Sequence, residues 1–217
     1  MRKRILCFGD SNTWGAIPGE DGRFPDDVRW TGVMSVALGD GYTVIEEGYN
    51  GRTTVFDDPV EGRLSGITYF KPCVESHSPL DLVIVMLGTN DLKTRFASDA
   101  VSIAYGLKNY TDVMKTASLH GSVPVFLAVS PILVDPAYKN DPLFGDCFGP
   151  DADRRSIGFA KAYGEFAAEN GVEFFDAALA AKASGIDGIH LDAAGHKALG
   201  TALAAKVREL LGNSCKK

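Results

Sequence analysis

Residues 80–87 (LDLVIVML) constrain the fold most, because nearly all of them are apolar. A strand buried on both faces has this composition, and such strands lie in parallel sheets covered by helices. Shorter runs with strand character lie at residues 5–8, 42–46, 123–129 and 172–175. Segments with helical or loop character alternate with these runs. The alternation predicts an α/β fold, with a five-stranded parallel sheet between two layers of helices.

The intervals between the predicted strands read as helices or loops. Helical spacing of apolar residues predicts helices over residues 28–38, 67–77, 100–119, 152–170 and 192–211, the last with Asp192 as its N-cap. Residues 177–183 read as a short helical piece and residues 184–190 as a loop. Residues 135–150 are rich in Pro, Gly and aromatics and show no period, which predicts a structureless loop; a loop of that length in a compact domain is usually functional.

The composition is ordinary for a globular protein: of 217 residues, 45% are hydrophobic and 23% charged. This length predicts a single domain, 1–217. A net charge of −6 argues against a nucleic acid or an anionic membrane as partner. The apolar run behind Arg2-Lys3-Arg4 is too short for a signal peptide, and no stretch approaches the length of a transmembrane helix.

The cysteines lie far apart in the chain, at Cys7, Cys73, Cys147 and Cys215, with no C-x-x-C pair. This spacing is typical of free thiols in a reducing compartment, so we expect a cytoplasmic protein. The chain also contains no P-loop motif, no G-x-G-x-x-G fingerprint and no H-E-x-x-H or Cys/His cluster. We therefore expect no cofactor and no metal.

Ser11 follows the first predicted strand on a tight strand-to-helix turn. Such a turn places its hydroxyl at the carboxyl edge of the sheet, where open α/β folds have their sites. The neighbouring helix N-terminus would favour developing negative charge. Ser11 therefore has two interpretations: it is a nucleophile, or it is only the N-cap of the helix.

A serine nucleophile needs a general base, and the chain has four histidines. His77 and His120 lie at predicted helix ends, and the i,i+4 spacing of Asp192 and His196 predicts a local surface pair. His190 differs because it lies in the loop segment Asp187-Gly188-Ile189-His190, where Asp187 could fold back onto the ring. One loop would then supply both the base and its orienting carboxylate. The alternative is that Asp187 and His190 only cap the following helix.

Gly51 and Asn90 suit an oxyanion hole, because each follows a predicted strand. A glycine allows close approach to its N–H, and an amide donates a hydrogen bond; the Ser11 N–H would be a third donor. The alternative is that both are ordinary turn residues. The chain has no G-x-S-x-G, so it lacks the nucleophile elbow of α/β-hydrolases.

The candidate residues fall in four segments, which occur along the chain in this order: Gly9-Asp10-Ser11, Gly48-Tyr49-Asn50-Gly51, Gly88-Thr89-Asn90-Asp91 and Asp187-Gly188-Ile189-His190. This set resembles the SGNH hydrolase superfamily, also called the GDSL esterases and lipases. Over residues 8–15, 28–32, 45–54 and 81–91 the chain is similar to the bacterial arylesterase/acyltransferase branch, which includes perhydrolases. The resemblance implies a flavodoxin-like three-layer α/β/α sandwich.

The resemblance also implies roles for these residues. Ser11 would be the nucleophile, His190 the base and Asp187 the orienting carboxylate. The oxyanion hole would consist of the Ser11 N–H, the Gly51 N–H and the Asn90 side chain. Members of the branch are often homo-oligomers, and the 135–150 segment, with Tyr138, Phe144 and Phe148, is a candidate interface and pocket wall. An ordinary surface loop is the alternative.

Four further residues adjoin the matched positions and are predicted to line the substrate pocket: Asn12, Trp14, Asn50 and Ile189. Core packing is the alternative for Trp14 and Ile189. Asn12 is polar where relatives often have Leu, and Asn50 stands at a variable position. Both therefore bear on the balance between hydrolysis and acyl transfer.

The predicted function is a serine esterase that hydrolyses short-chain aryl or alkyl esters through an acyl-enzyme, with acyl transfer or perhydrolysis as a side activity. The small-molecule ester would be its partner. Two alternatives are open: a carbohydrate acetyl esterase, and a non-catalytic flavodoxin-like binding module whose Ser11 turn cradles an anion.

Overall fold

The fold is an open parallel sheet, seen in a computed structural model that describes residues 2–212. Its strands lie in the order β2-β1-β3-β4-β5, the order of flavodoxin-like proteins. All pairings between these five strands are parallel. The strands are β1 (Lys3–Gly9), β2 (Tyr42–Gly48), β3 (Leu82–Met86), β4 (Val125–Ser130) and β5 (Glu173–Asp176). The predicted α/β fold and its five-stranded sheet are confirmed.

Helices cover both faces of this sheet. They are α1 (Ser11–Trp14), α2 (Trp30–Leu38), α3 (Gly66–His77), α4 (Ala100–Gly106), α5 (Lys108–Thr116), α6 (Pro142–Phe148), α7 (Ala152–Ser156), α8 (Phe159–Asn170) and α9 (Ala193–Leu211). None of the helices within residues 2–212 is long and apolar enough to cross a bilayer. Asp192 caps α9 as predicted, because its carboxylate accepts a hydrogen bond of 2.7 Å from the Gly195 N–H.

The two faces of the sheet bury two separate hydrophobic clusters, because successive strand residues point to opposite sides. Leu6 and Phe8 of β1 pack with residues of α3, α4, α5 and α8 on one face. Ile5 and Cys7 pack on the other face with α2 and α9. The chain thus forms three layers, with the sheet in the middle.

Two predicted helices are each two helices in the structure. The predicted helix over 100–119 breaks after Gly106 into α4 and α5, and it ends at Thr116. The predicted helix over 152–170 breaks at Ile157-Gly158 into α7 and α8. Both breaks fall at glycines, which disfavour a helix interior. At Gly158 an added Cβ would lie 2.9 Å from the Ala100 Cβ, so α4 and α8 approach too closely for a larger residue there.

The prediction of a structureless loop over 135–150 is wrong. The segment contains a 3-10 helix, Pro136–Asn140, followed by α6. Asp135 and Asp141 cap the two helices, and each is followed by a proline at the first helical position. Asp-Pro is a sequence signal for a helix start, and it occurs twice here.

The predicted free thiols are confirmed for Cys7, Cys73 and Cys147, and Cys215 lies outside the described residues.

Candidate active site

The register of the sheet brings the predicted site residues to one edge. Gly9 at the end of β1 is paired with Gly48 of β2 and with Met86 of β3. The three strands therefore end at the same level, and the segments that carry Ser11, Gly51 and Asn90 follow them directly.

Ser11 is the first residue of α1, and Asp10 occupies the capping position before it. The Asp10 carboxylate accepts a 3.0 Å hydrogen bond from the Asn12 N–H. This satisfies the helix end without the serine, so the interpretation of Ser11 as an N-cap is wrong. The Ser11 hydroxyl instead lies 3.0 Å from Nε2 of His190.

The segment 187–190, called the histidine loop below, joins three of the predicted residues in one line of hydrogen bonds. His190 Nδ1 lies 2.7 Å from the Asp187 Oδ2 atom, and Nε2 lies 3.0 Å from the Ser11 Oγ atom. Oδ1 of Asp187 accepts the N–H groups of Ile189 and His190, both at 3.0 Å. The carboxylate is therefore held by its own loop. All three side chains are buried.

The electrostatics of Asp187 favour the ionised form. Burial on its own would raise its pKa, but the hydrogen bonds and charge of His190 and the two loop N–H groups outweigh burial, so the pKa lies below the usual value. The carboxylate is therefore charged at neutral pH and can stabilise an imidazolium that forms next to it.

The candidate oxyanion donors are Ser11, Gly51 and Asn90, which follow the ends of β1, β2 and β3. Within residues 2–212, the N–H groups of Ser11 and Gly51 donate to no protein acceptor. Gly51 has a φ of +77°, a conformation that larger residues rarely adopt. The Asn90 Nδ2 group donates one hydrogen bond of 3.1 Å to the Arg52 carbonyl and carries a second hydrogen.

Arg52 connects the three strand ends, and the sequence analysis did not identify it. Its buried guanidinium lies 4.1 Å from the centre of the Phe8 ring and donates to the carbonyls of Gly9 and Glu47. Its own carbonyl accepts the Asn90 amide. Desolvation lowers the pKa of this arginine from its usual value. The sequence offered one signal for Arg52: it is a basic residue that directly follows Gly51.

Two buried carboxylates beside the site were also missed. Burial raises the pKa of Asp10 to about 6, opposed by the Asn12 N–H and by the charges of His190 and Arg52. Burial also raises the pKa of Asp91 to about 6, opposed by hydrogen bonds from Thr54. The Thr54 N–H and hydroxyl both donate to Asp91, which fastens the end of β3 to the segment after Gly51.

The structure shows further contacts for two of the predicted pocket residues. Asn12 is buried, and its amide donates to the Ile189 carbonyl at 3.2 Å and accepts from the Leu191 N–H at 2.8 Å. Both polar atoms are thus used to hold the histidine loop. Ile189 is buried in the hydrophobic core. The hydrogen bonds of Asn12 and the packing of Ile189 could not be inferred from their adjacency to the catalytic residues in sequence.

The other two predicted pocket residues are only half-buried. The Arg23 guanidinium lies over the Trp14 ring, 5.1 Å from the ring centre. The Asn50 Oδ1 atom is buried and has no hydrogen-bond partner within residues 2–212. From the 135–150 segment, Phe144 reaches the site, with its ring centre 5.6 Å from that of His190, whereas Tyr138 and Phe148 lie in the core.

The remaining histidines lie outside this arrangement. His196 is fully buried, and its Nδ1 accepts the Trp30 N–H at 3.2 Å, so the predicted surface pair with Asp192 is wrong. The i,i+4 spacing does not reveal that this face of α9 packs on α2. His77 lies 2.8 Å from Glu47, and His120 follows the end of α5.

Comparison with known proteins places this geometry in a family. Residues 7–198 match the GDSL-like lipase/acylhydrolase family. The chain belongs to that family. It is a carboxylic-ester hydrolase, so the predicted family and enzyme class are confirmed, and the alternative of a binding module without catalysis is set aside.

Solved structures of this family superpose closely on the chain. The native aryl esterase of M. smegmatis is 43% identical, with 96% of this chain and 99% of that chain covered and a TM-score of 0.90. Est24, a carbohydrate acetylesterase from Sinorhizobium meliloti, is 42% identical, with 96% and 100% covered and a TM-score of 0.91. No curated protein matches the chain.

Proposed function

We propose that the chain hydrolyses short-chain esters of aryl and simple alkyl alcohols through an acyl-enzyme on Ser11. The observation that carries this proposal is the line of hydrogen bonds from the Ser11 hydroxyl through His190 to Asp187. A serine with a positioned base and an orienting carboxylate is the arrangement that acyl transfer requires.

In the first half-reaction, Ser11 Oγ attacks the ester carbonyl carbon while its proton passes to Nε2 of His190. The C–O bond of the leaving alcohol then breaks, and the imidazolium gives its proton to the alcohol oxygen. Asp187 keeps the ring oriented and stabilises its positive charge, consistent with the lowered pKa of that carboxyl.

The carbonyl oxygen becomes negatively charged in the tetrahedral intermediate. We assign the Ser11 N–H, the Gly51 N–H and the Asn90 amide as its donors. The two backbone groups have no protein acceptor within residues 2–212, and the amide retains a free hydrogen. Donors that are already in place need no reorganisation when the charge develops.

In the second half-reaction, water attacks the acyl carbon while His190 takes a proton from it. The bond between the acyl carbon and Ser11 Oγ then breaks, the imidazolium returns the proton to Oγ, and the carboxylic acid leaves. An alcohol or a peroxide in place of water would give acyl transfer or perhydrolysis. We propose these as side activities.

The substrate class is supported by the aryl esterase of M. smegmatis and by the aromatic rings at the site. Phe144 lies against His190, and Trp14 ends the helix that begins at Ser11. We assign these two rings to the walls of the acyl and alcohol pocket.

A carbohydrate acetate is the second candidate, and Asn50 favours it. Within residues 2–212, its buried Oδ1 is an acceptor without a donor, and Asn50 stands directly before Gly51 in the chain. A sugar hydroxyl could supply that donor, whereas a phenyl ring could not. The name of Est24 points to the same class of substrate for a close structural relative.

The experiment compares Ser11→Ala with wild type on p-nitrophenyl acetate. We expect kcat to fall by ~10⁴-fold or more with an unchanged melting temperature. Ser102→Ala, on the exposed surface of α4, is the matched control and should remain fully active. Near-normal hydrolysis by Ser11→Ala would reject the assignment.

A substrate panel then separates the two ester classes. If the sugar acetate is the better substrate, Asn50→Ala should lower kcat/KM for an acetylated xylose more than for phenyl acetate. Equal losses on both substrates would argue against a sugar-binding role for Asn50.

We also propose that the protein is a cytoplasmic homo-oligomer. The free thiols of Cys7, Cys73 and Cys147 support a reducing location. The exposed Leu143 on α6 and the exposed Ile157 support an interface that includes the 135–150 segment. Sedimentation of wild type and Leu143→Glu tests it, because the charged variant should shift toward monomer.

A further inference from the structure

A second cluster of chemically active side chains lies outside the line of hydrogen bonds from Ser11 through His190 to Asp187. Glu47, Cys73 and His77 each offer one ligand atom, and these atoms all lie within 4.8 Å of one another. Cys73 and His77 are one turn apart on the same face of α3, and Glu47 is on β2. Oε1 of Glu47 lies 2.8 Å from Nε2 of His77, and Cys73 is fully buried.

The three donors are a carboxylate oxygen, an imidazole nitrogen and a sulfur. Calcium and magnesium prefer oxygen alone, whereas a thiolate with an imidazole suits zinc-like ions. We propose that Glu47, Cys73 and His77 bind one divalent ion of the zinc class, with water as the fourth ligand.

The distances allow such an ion after small side-chain movements. In a tetrahedral site with bonds of ~2.0–2.3 Å, neighbouring ligand atoms lie roughly 3.3–3.6 Å apart. The Glu47–His77 contact must therefore open from 2.8 Å, and the wider separations must close. Both residues are partly exposed, with 21% and 28% of their side chains accessible, so they can rotate while the buried Cys73 stays fixed.

The charges around the cluster fix the chemistry of binding. A metal-free cysteine side chain carries a thiol proton, whereas the thiolate is the form that binds a metal. Binding breaks the S–H bond, forms the metal–sulfur bond and releases one proton to water. The carboxylate and the thiolate together balance the two charges of the ion.

No familiar zinc motif marks this cluster in the sequence. The Cys-x-x-x-His pair of α3 is only half of a site, and Glu47 comes from a strand well before it. Parallel pairing of β2 beside β1 and the packing of α3 bring the third ligand in, which a linear pattern does not display.

Titration of the chelator-treated full-length protein with cobalt(II) tests the proposal. A cobalt–thiolate bond produces a charge-transfer absorption in the near ultraviolet. We expect this band to saturate at one equivalent, to vanish when zinc is added and to be absent in Cys73→Ser. In His77→Gln the affinity should fall by ~100-fold or more, since even groups outside the ligand set contribute 10–100-fold.

Two control variants locate the ion. Cys147→Ser removes a thiol outside the proposed ligand set, and His190→Gln removes the imidazole of the ester site. Both variants should keep the absorption band. Zinc should also raise the melting temperature of wild type but not of His77→Gln. This variant changes a partly exposed residue, so it remains informative if Cys73→Ser does not fold.

The proposal fails if no thiolate band forms, if Cys73→Ser keeps the band, or if His77→Gln binds as tightly as wild type. In each of these cases Glu47 and His77 form only a local hydrogen-bonded pair.

Discussion

Asn12→Ala should impair catalysis although Asn12 touches no reacting atom. Its amide holds the backbone on both sides of His190, through the Ile189 carbonyl and the Leu191 N–H. The substitution leaves both buried backbone groups unpaired, at about 1–3 kcal/mol each. We expect the free energy of unfolding to fall by roughly 2–6 kcal/mol.

The kinetic effect should fall mainly on kcat. A base that is misplaced by ~1 Å can lower the rate by ~10²-fold. We therefore expect kcat for p-nitrophenyl acetate to fall by roughly 10–100-fold, with KM nearly unchanged, at a temperature where the variant is folded.

Urea unfolding and steady-state kinetics on the same preparations measure both effects. Asn109→Ala is the matched control, because its amide also donates to a backbone carbonyl but lies on the exposed surface of α5. A folded Asn12→Ala enzyme with normal kcat would refute the idea that these two hydrogen bonds position His190.

Three further predictions follow from the same contacts. Asn90→Ala removes one oxyanion donor, so kcat should fall by ~10²–10³-fold with little change in KM; an unchanged kcat on the ester panel would exclude that role. Arg52→Met keeps the bulk over Phe8 but removes the guanidinium's hydrogen bonds to the Glu47 carbonyl and to the Gly9 carbonyl, which still accepts the Tyr49 N–H. We expect a loss of about 2–4 kcal/mol in unfolding free energy and a lower kcat, and guanidinium at low millimolar concentration should partly restore kcat if the charge positions the strand ends. Burial lowers the pKa of His196 to about 4, so the native state keeps this ring neutral and binds fewer protons than the unfolded chain. The contribution of this neutral ring to the free energy of unfolding is complete above the unfolded pKa of ~6.5 and is lost as pH falls toward 4, by roughly 3 kcal/mol in all. Urea unfolding at pH 7 and pH 4 should show this loss in wild type but not in His196→Gln. An equal loss in the variant would contradict the prediction.

The fold could be predicted from sequence because its signals are local. The apolar run of β3, buried on both faces, marks a central strand, and the alternation of strands and helices leaves few topologies. The helix breaks at Gly106 and Gly158 were missed, because a single glycine is often tolerated within a helix. Whether it breaks one depends on neighbours such as Ala100, which only the tertiary structure brings near.

The candidate site was predictable to the extent that its residues lie at strand ends or in one loop. Asp187 and His190 are three positions apart, so their contact could be inferred from the chain itself. Asn12 and Arg52 act through contacts between distant segments, and nothing in their local sequence displays those contacts. His196 was misassigned because periodicity identifies a helix but does not fix which polar residues its packed face contains.

Covalent labelling by a fluorophosphonate tests the central claim most directly, because the reagent phosphonylates an activated serine. We expect one label per chain, located by peptide mass spectrometry on Ser11, and labelling much slower in His190→Gln. A label on a different serine, or equally fast labelling without the His190 imidazole, would contradict the assignment of Ser11 and His190 as nucleophile and base.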